Sequence, residues 1–417
     1  MHPKVKGALA RAWRDRETVQ FGVTPAHAVV LGPVDTATGS FLDRIDGTRG
    51  MELLRAEAVG MGLPEGRADA LVRRLAQAGL IDDAGAGGPR AQALRSRPEA
   101  LERLGPDLGS LSLVRREPGG DLRAVAARRA ARVQVRGCGR VGAVIAAVLA
   151  GAGVGRVEVL DGGRVEAADV APGGLGPGSV GRLRAGAAER LVRECAPGRA
   201  PRSAEREGPE PALALVVVAP RDGLQAWAPD PAAATDWIAA GTPHLYAGVL
   251  EGTGLVGPLV LPGATACAGC MERDRVERDP AWPRMLVQWR SAHRRRAAGA
   301  CDLGLSTAVA GLAAAHALSF LDGELPASTA ARWEAALPGL HWERSAVAPR
   351  PECPCGAAAG GGEPGSDPVQ VREREPMRVR EREPVRVRER EPVRVRERAR
   401  RREPAGRGTG AGGRGGP

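Results

Sequence analysis

The sequence predicts an α/β protein built on a doubly wound, mostly parallel sheet, with a small N-terminal domain and a disordered C-terminal tail. Three observations carry this. Strand and helix patterns alternate between about residues 124 and 355. A glycine turn joins the first strand of that region to its first helix. Leu213–Ala219 (L-A-L-V-V-V-A) is a continuous apolar run, as expected for a strand buried on both faces.

The glycine turn is the most informative stretch. Val133–Val135 reads as a strand that runs into Gly137-x-Gly139-x-x-Gly142, and an apolar helix pattern follows from Arg140 to Gly151. A second strand, Val157–Leu160, ends on Asp161, 24 residues after Gly137. Strand, turn, helix, strand and acid together make a Rossmann-like βαβ unit. Gly137 permits the tight turn, Gly139 lets backbone approach a pyrophosphate, and Gly142 lets the helix sit close on the strand. The helix N-terminus then offers N–H groups to phosphate, and Asp161 is placed to accept from a ribose. A glycine turn of the same fold that binds no nucleotide is the alternative.

Charge and composition exclude other classes. The net charge of +11 suggests a nucleic-acid binder, but Val369–Pro417 alone holds 16 Arg against 8 Glu. The remaining chain is close to neutral, and one Tyr and three Phe provide no stacking platform. No specific nucleic acid is expected. There is no run of 18 apolar residues and no apolar signal core at the N-terminus, so neither a membrane span nor export is expected, and the protein is read as cytoplasmic. The excess charge sits in an octapeptide repeat, V-R-V-R-E-R-E-P and its variants over residues 369–400. Its periodic proline and low apolar content predict disorder across the tail, residues 356–417.

Residues 1–90 read as three helices with flanking strands. A strand is expected at Ala28–Leu31 and a helix from Thr36 to Ile45 capped by Asp35. A second helix runs to Val59, and a third begins near Pro64 with Ala68, Leu71, Val72 and Leu75 on one face. This is a winged-helix-like pattern. Residues 91–123, rich in Gly, Pro and Arg, read as a linker with one strand at Leu111–Val114. Further on, helices are expected at Val180–Cys195 and Ala232–Ala240, and a strand at Leu245–Val249.

Cysteine is the second constellation. Cys267-x-x-Cys270 lies in P-G-A-T-A-C-A-G-C and Cys353-x-Cys355 in P-E-C-P-C-G. In a reducing compartment paired cysteines read as thiolate ligands, and four of them make a closed structural Zn²⁺ site. The second pair has one intervening residue instead of the usual two. A disulfide or a redox pair is the rival for the first. Cys301 opens an alanine-rich helix, Asp302–Leu321, after the basic His293-Arg294-Arg295-Arg296. A helix start and nearby Arg would lower its thiol pKa; a helix-start residue without chemistry is the plainer reading.

Residues 124–355 resemble the E1-like adenylating family of ThiF, MoeB, HesA and the ubiquitin-activating enzymes. The resemblance rests on G-C-G-R-V-G, on G-A-G-V-G-R-V-E-V-L-D at 151–161, on R-V-E at 164–166 and on V-G-R-L-R-A at 180–185. It continues in G-P-L-V-L-P-G-A-T-A-C-A-G-C at 257–270 and the second cysteine pair. It implies ATP on the glycine turn, Mg²⁺, and adenylation of the C-terminal carboxylate of a small carrier protein or peptide. It further implies ribose binding by Asp161, a phosphate contact at Arg184, a metal-binding Asp at Asp222 and a reactive cysteine near Cys301. A homodimer is implied too. Residues 42–48 (L-D-R-I-D-G-T) and 71–81 (L-V-R-R-L-A-Q-A-G-L-I) resemble the peptide-binding PqqD-like winged helix, which implies a precursor peptide and a partner modifying enzyme.

The sequence also departs from the family. Where the family shows S-N-L-x-R-Q, this chain has Ala168-Asp169-Val170-Ala171-Pro172-Gly173, and no match to the family's N-terminal arginine is evident. Losing a donor at such a site costs on the order of a hundredfold in rate. Two readings follow: an ATP-dependent adenylyltransferase, or a catalytically degenerate scaffold that grips a precursor peptide for a partner enzyme. An NAD-dependent oxidoreductase is a third.

Overall fold

The computed structural model describes residues 1–198, 212–293 and 299–359. The repeat tail beyond residue 359 and Arg294–Arg296 lie outside the described residues.

The N-terminal residues fold as β1 (Pro3–Val5), β2 (Arg11–Trp13), β3 (Val19–Phe21), β4 (Val29–Leu31), α1 (Thr36–Leu42), α2 (Met51–Gly60), α3 (Arg67–Gln77) and β5 (Ile81–Asp83). β2, β3 and β4 form an antiparallel sheet, and β1 pairs with β5. Asp35 caps α1 by accepting from Thr38 N–H at 2.7 Å. The apolar stripe of α3, Ala68, Leu71, Val72 and Leu75, is buried against Phe21, Phe41, Leu54 and Ile81.

The stretch expected as a linker is helical. It forms α4 (Gly88–Arg95), α5 (Pro98–Arg103), α6 (Gly105–Val114) and α7 (Gly120–Ala130), and the strand expected at Leu111–Val114 is the end of α6. Its prolines open helices instead of breaking them: α4, α5 and α6 each carry Pro in the first two positions, where a missing N–H costs nothing. Leu94, Leu104, Leu111 and Val125 form its own small core. Two buried cations dock it. Lys6 Nζ donates to Ser112 O at 2.6 Å and Arg115 O at 3.0 Å, at the C-terminus of α6. Arg128 clasps Asp322 with two bonds of 2.7 and 2.6 Å.

The remaining chain is one layered α/β unit. Its elements are β6 (Arg132–Arg136), α8 (Arg140–Gly151), β7 (Arg156–Leu160), α9 (Arg184–Cys195), β8 (Leu213–Val218), α10 (Gly223–Trp227), α11 (Thr235–Ala239), β9 (His244–Leu250) and β10 (Thr253–Val260). Then follow α12 (Ala268–Arg278), α13 (Trp282–His293), α14 (Leu303–Leu321), β11 (Ala331–Ala336) and β12 (Glu343–Ala346). Seven strands form one sheet in the order β12-β11-β10-β9-β8-β6-β7. β7, β6, β8 and β9 run parallel, and β10 to β12 extend the sheet antiparallel.

Two helix expectations change. α9 begins at Arg184, because residues 180–183 form a turn through Gly181 (φ +83°) that is tied to the loop after β7: Val165 N–H donates to Arg182 O at 2.9 Å and Gly181 N–H to Val165 O at 2.8 Å. The helix expected over Ala232–Ala240 splits into a 3₁₀ turn, Pro231–Ala234, and the short α11.

α14 is long and apolar enough, by length and composition, to cross a membrane. Its Leu305, Val309, Ala310, Ala313 and Ala317 instead belong to the main core with Val133, Val135, Ile145, Leu149 and Val256. In the sheet, β6 lies between β7 and β8, so the turn after β6 opens where the strand order reverses, the place where such sheets bind ligands.

The Arg128–Asp322 pair is almost fully buried, at 6 and 7% side-chain exposure. Removing one partner strands a charge, so Asp322→Ala is expected to cost about 3–5 kcal/mol in urea unfolding. A loss below about 1 kcal/mol would be the value of an exposed pair.

Candidate nucleotide and cysteine sites

The glycine turn has the geometry its sequence implies. Gly137 has φ +110°, and a Cβ there would lie 2.0 Å from Ala219 O. A Cβ on Gly142 would lie 2.1 Å from Gly137 O, so α8 can approach the turn only as glycine. On Gly139 it would meet a side chain, Arg221 Cγ, at 2.8 Å. Gly139 caps α8, whose first-turn N–H groups have no intrahelical acceptor.

Asp161, at the end of β7, is engaged through both oxygens. Cys138 N–H donates to Oδ2 at 2.6 Å, and Arg184 Nε donates to Oδ1 at 2.8 Å. Arg184 is itself buried. Its Nε also donates to Gly162 O at 3.0 Å, and its Nη1 to Arg164 O at 2.7 Å and Asp169 Oδ2 at 3.2 Å. Asp169, 2% exposed, also accepts from Arg221 Nε at 2.5 Å. Arg221 Nη2 donates to Glu166 Oε2 at 2.6 Å. Burial opposes the charge on Arg221, and its bonds to Glu166 and Asp169 together outweigh that and raise its pKa. Burial, joined by the charges of Asp161 and Asp169, pushes the Cys138 thiol up to about 12, so it stays neutral inside the turn.

A model of the ThiF family matches residues 120–355. The chain belongs to the ThiF family. Among solved structures it is similar to E. coli MccB with AMPCPP and MccA, at 16% identity over 85% of this chain and 99% of that one, with a TM-score of 0.59. It is similar to E. coli MccB with ATP at 17% identity over 85 and 99% (TM-score 0.58). For PaaA the identity is 15% over 82 and 99% (TM-score 0.59). At these identities the likeness is one of fold. No curated protein matches the chain by sequence.

Within this ThiF fold the remaining expected residues take defined places. Asp222 follows β8 beside the glycine turn and caps α10, accepting from Leu224 N–H at 2.7 Å. Cys301 precedes the α14 cap, Asp302, and its carbonyl accepts from Arg140 Nη1 at 2.7 Å. Its thiol moves opposite to the expected direction: burial pushes it up, and the Arg140 charge only partly opposes this. Arg140 Nε also donates to Ala168 O at 2.8 Å, so one arginine ties the loop after β7 and the start of α14 to the turn. Sequence reading missed Arg140 and Arg221. The one signal for Arg221 is that it precedes Asp222 at the end of a buried strand.

Cys267, Cys270, Cys353 and Cys355 converge, their Sγ atoms all within 4.8 Å of one another. Cys267 and Cys353 are 3.5 Å apart and Cys270 and Cys355 3.6 Å. Neither is near the roughly 2.05 Å of a disulfide, while a tetrahedron of thiolates at about 2.3 Å from an ion has edges of about 3.8 Å. The single residue between Cys353 and Cys355 is no obstacle, since the two thiols pair with different partners across the cluster. Arg350 N–H donates to Cys270 Sγ at 3.4 Å and Arg273 Nη1 to Cys353 Sγ at 3.6 Å, the donors a thiolate set needs.

The glycine geometry ranks three substitutions. Gly137→Ala and Gly142→Ala meet backbone and are expected to destabilise the chain by about 1–3 kcal/mol or more. Gly139→Ala meets Arg221 Cγ, near the root of a side chain held by Asp169 and Glu166, and is expected to cost less than the other two, about 1 kcal/mol. Urea midpoints of the three variants check the order.

Proposed function

We propose that this ThiF-family chain uses ATP to adenylate the C-terminal carboxylate of a peptide or small carrier protein. The observation that carries the reading is the built turn at the strand-order reversal, where Gly137, Gly139 and Gly142 bare the backbone and Asp161 closes the site from the next strand. Solved MccB structures hold ATP, AMPCPP with MccA, and N-formylated MccA, which supports a nucleotide and a peptide here.

In this reading the α8 N-terminus and the turn hold the phosphates. Asp161 faces the ribose, and Asp222 holds the Mg²⁺ that accompanies ATP. A carboxylate oxygen attacks the α-phosphorus, the bond from that phosphorus to the bridging oxygen breaks, and pyrophosphate leaves with the electron pair. The product is an acyl-adenylate. No protein nucleophile is required, so the rate comes from placement and from donors around the phosphates. The raised Cys301 thiol is consistent with chemistry that passes it by.

The N-terminal β1–β5 and α1–α3 are the winged-helix-like module that would grip the peptide, and a second copy of the chain and a modifying enzyme are the further partners. Cys267, Cys270, Cys353 and Cys355 hold a structural Zn²⁺ in this reading. Four protein ligands leave no position for water, so the metal would fasten the fold and take no part in the reaction. A reducing, cytoplasmic setting suits four thiolates.

ATP–pyrophosphate exchange with candidate peptides is the direct test. Exchange that Asp161→Ala abolishes supports the reading, and ATP binding without exchange for any peptide sinks it. Metal analysis tests the cysteines: the native chain is expected to carry about one equivalent of zinc and Cys267→Ser close to none. Undiminished metal in that variant would place the ion elsewhere.

A further inference from the structure

Two arginines face the carboxylates behind the glycine turn, and they are held very differently. Arg184 is 9% exposed, and its Nε and Nη1 serve four acceptors, Asp161, Gly162 O, Arg164 O and Asp169. Turning it toward a ligand would strip partners from two carbonyls and from the buried Asp169, which is costly for each group. Arg221 leaves the C-terminal end of β8 with one third of its side chain exposed, and its stem passes directly over Gly139, 2.8 Å from the place of a Cβ. Gly139 is the residue at which backbone is bared toward a phosphate. Of the two groups Arg221 binds, Asp169 is buried and Glu166 is 59% exposed. An exposed ion pair of that kind is weak and readily exchanged.

The charges also ask for an exchange. Arg184 and Arg221 face Asp161, Asp169 and Glu166, while Arg140 at the first position of α8 is tied to the carbonyls of Ala168 and Cys301. A polyphosphate arriving at Gly139 meets Arg221 with Asp169 and Glu166 beside it, and these two carboxylates repel it unless a guanidinium edge turns to it. Arg221 has such an edge. The exposed Glu166 can swing off Nη2 while Nε stays on Asp169, which leaves Nη2 of the planar fork for a phosphate oxygen.

We propose that Arg221 is the phosphate-binding arginine of this site, held ready by Asp169 and Glu166, and that Arg184 is a positioning residue that fixes Asp161 and Asp169. Where the loop Ala168–Gly173 lacks a basic side chain, the segment between β8 and α10 supplies one. The inference rests on the ATP reading above and names the side chain that discriminates triphosphate from nucleoside.

Calorimetry on the full chain with ATP and with adenosine tests it, alongside pyrophosphate exchange. Arg221→Ala is expected to weaken ATP binding about 10–100-fold, the worth of a charge-assisted bond, with adenosine affinity within about twofold of native. Arg221→Lys, a point charge without the fork, is expected to recover part of the loss. Glu166→Gln, which removes a like charge and leaves only a weaker neutral acceptor, is expected to bind ATP as tightly as the native chain or tighter. Equal losses for ATP and adenosine in both Arg221 variants would make Arg221 a purely structural residue and overturn the proposal. So would native ATP affinity in Arg221→Ala. A native chain that binds ATP and shows the Arg221 dependence, yet exchanges no pyrophosphate, keeps this assignment and removes the adenylation reading. A native chain that binds no ATP removes both.

Discussion

The carboxylate of Asp161 joins the turn after β6 to the start of α9, two segments that the pairing of β6 with β7 does not itself connect. One oxygen takes the N–H of Cys138 inside the turn after β6, and the other takes Arg184 at the start of α9. Both bonds are charge-assisted and shielded from water, where such bonds are strongest. Arg184 then passes the constraint on, to the carbonyls of Gly162 and Arg164 and to Asp169. The loop after β7 is therefore folded back over the turn by one buried acid and one buried arginine. Without that acid the turn would lose its N–H acceptor and Arg184 its first partner, and the loop carrying Glu166 and Asp169 would be held only by Arg140, Arg221 and its own backbone bonds.

The core under this site is built with few aromatic residues, and that shapes its packing. α8 and α14 are rich in Ala, Val and Leu, so they approach the sheet closely. A Cβ on Gly254 of β10 would sit 2.6 Å from Val309 Cγ2 of α14, a measure of how little room is left. Dense contact among small side chains replaces the area that aromatic rings would bury. A rigid base of this kind keeps the bared backbone of the turn in one place, and a site that works by positioning requires that.

The sequence disclosed what is dictated locally and hid what depends on strand order. Gly137, Gly139 and Gly142 were legible as a spaced motif, and the crowding at Gly142 arises within one βαβ unit, whereas Gly137 and Gly139 are crowded by Ala219 and Arg221 after β8, which the sequence does not place there. Asp161 was legible from its distance along the chain, though its hydrogen bond to Cys138 was not. Residues 91–123 misled because Gly, Pro and Arg read as punctuation. Leu94, Leu101, Leu104, Leu108 and Leu111, drawn from three short helices, nevertheless meet in one small core, and the prolines stand at helix starts. Arg221 could not be placed from sequence, since it meets Asp169 only because β8 lies beside β6. Cys301 shows the converse error: neighbours in sequence suggested a lowered thiol pKa, and burial, which sequence does not display, raised it.

The antiparallel half of the sheet poses a different problem. β12 is four residues long, exposed throughout, and forms the edge of the sheet, so backbone pairing with β11 is a weak hold on the chain that follows. That chain carries Cys353 and Cys355 back to Cys267 and Cys270 at the start of α12. The cluster packs with Tyr246 and Val260, on the face of β9 and β10 opposite Leu245, Ala247 and Val256, which belong to the α8–α14 core. A metal held by these four thiols would close a loop of more than 80 residues, and the entropy removed by such a closure grows with loop length. It would also act at the point where the edge strands supply least. The cluster lies on the face of the sheet opposite the α8–α14 core, so a metal there would fasten the edge that β11 and β12 leave weakly held.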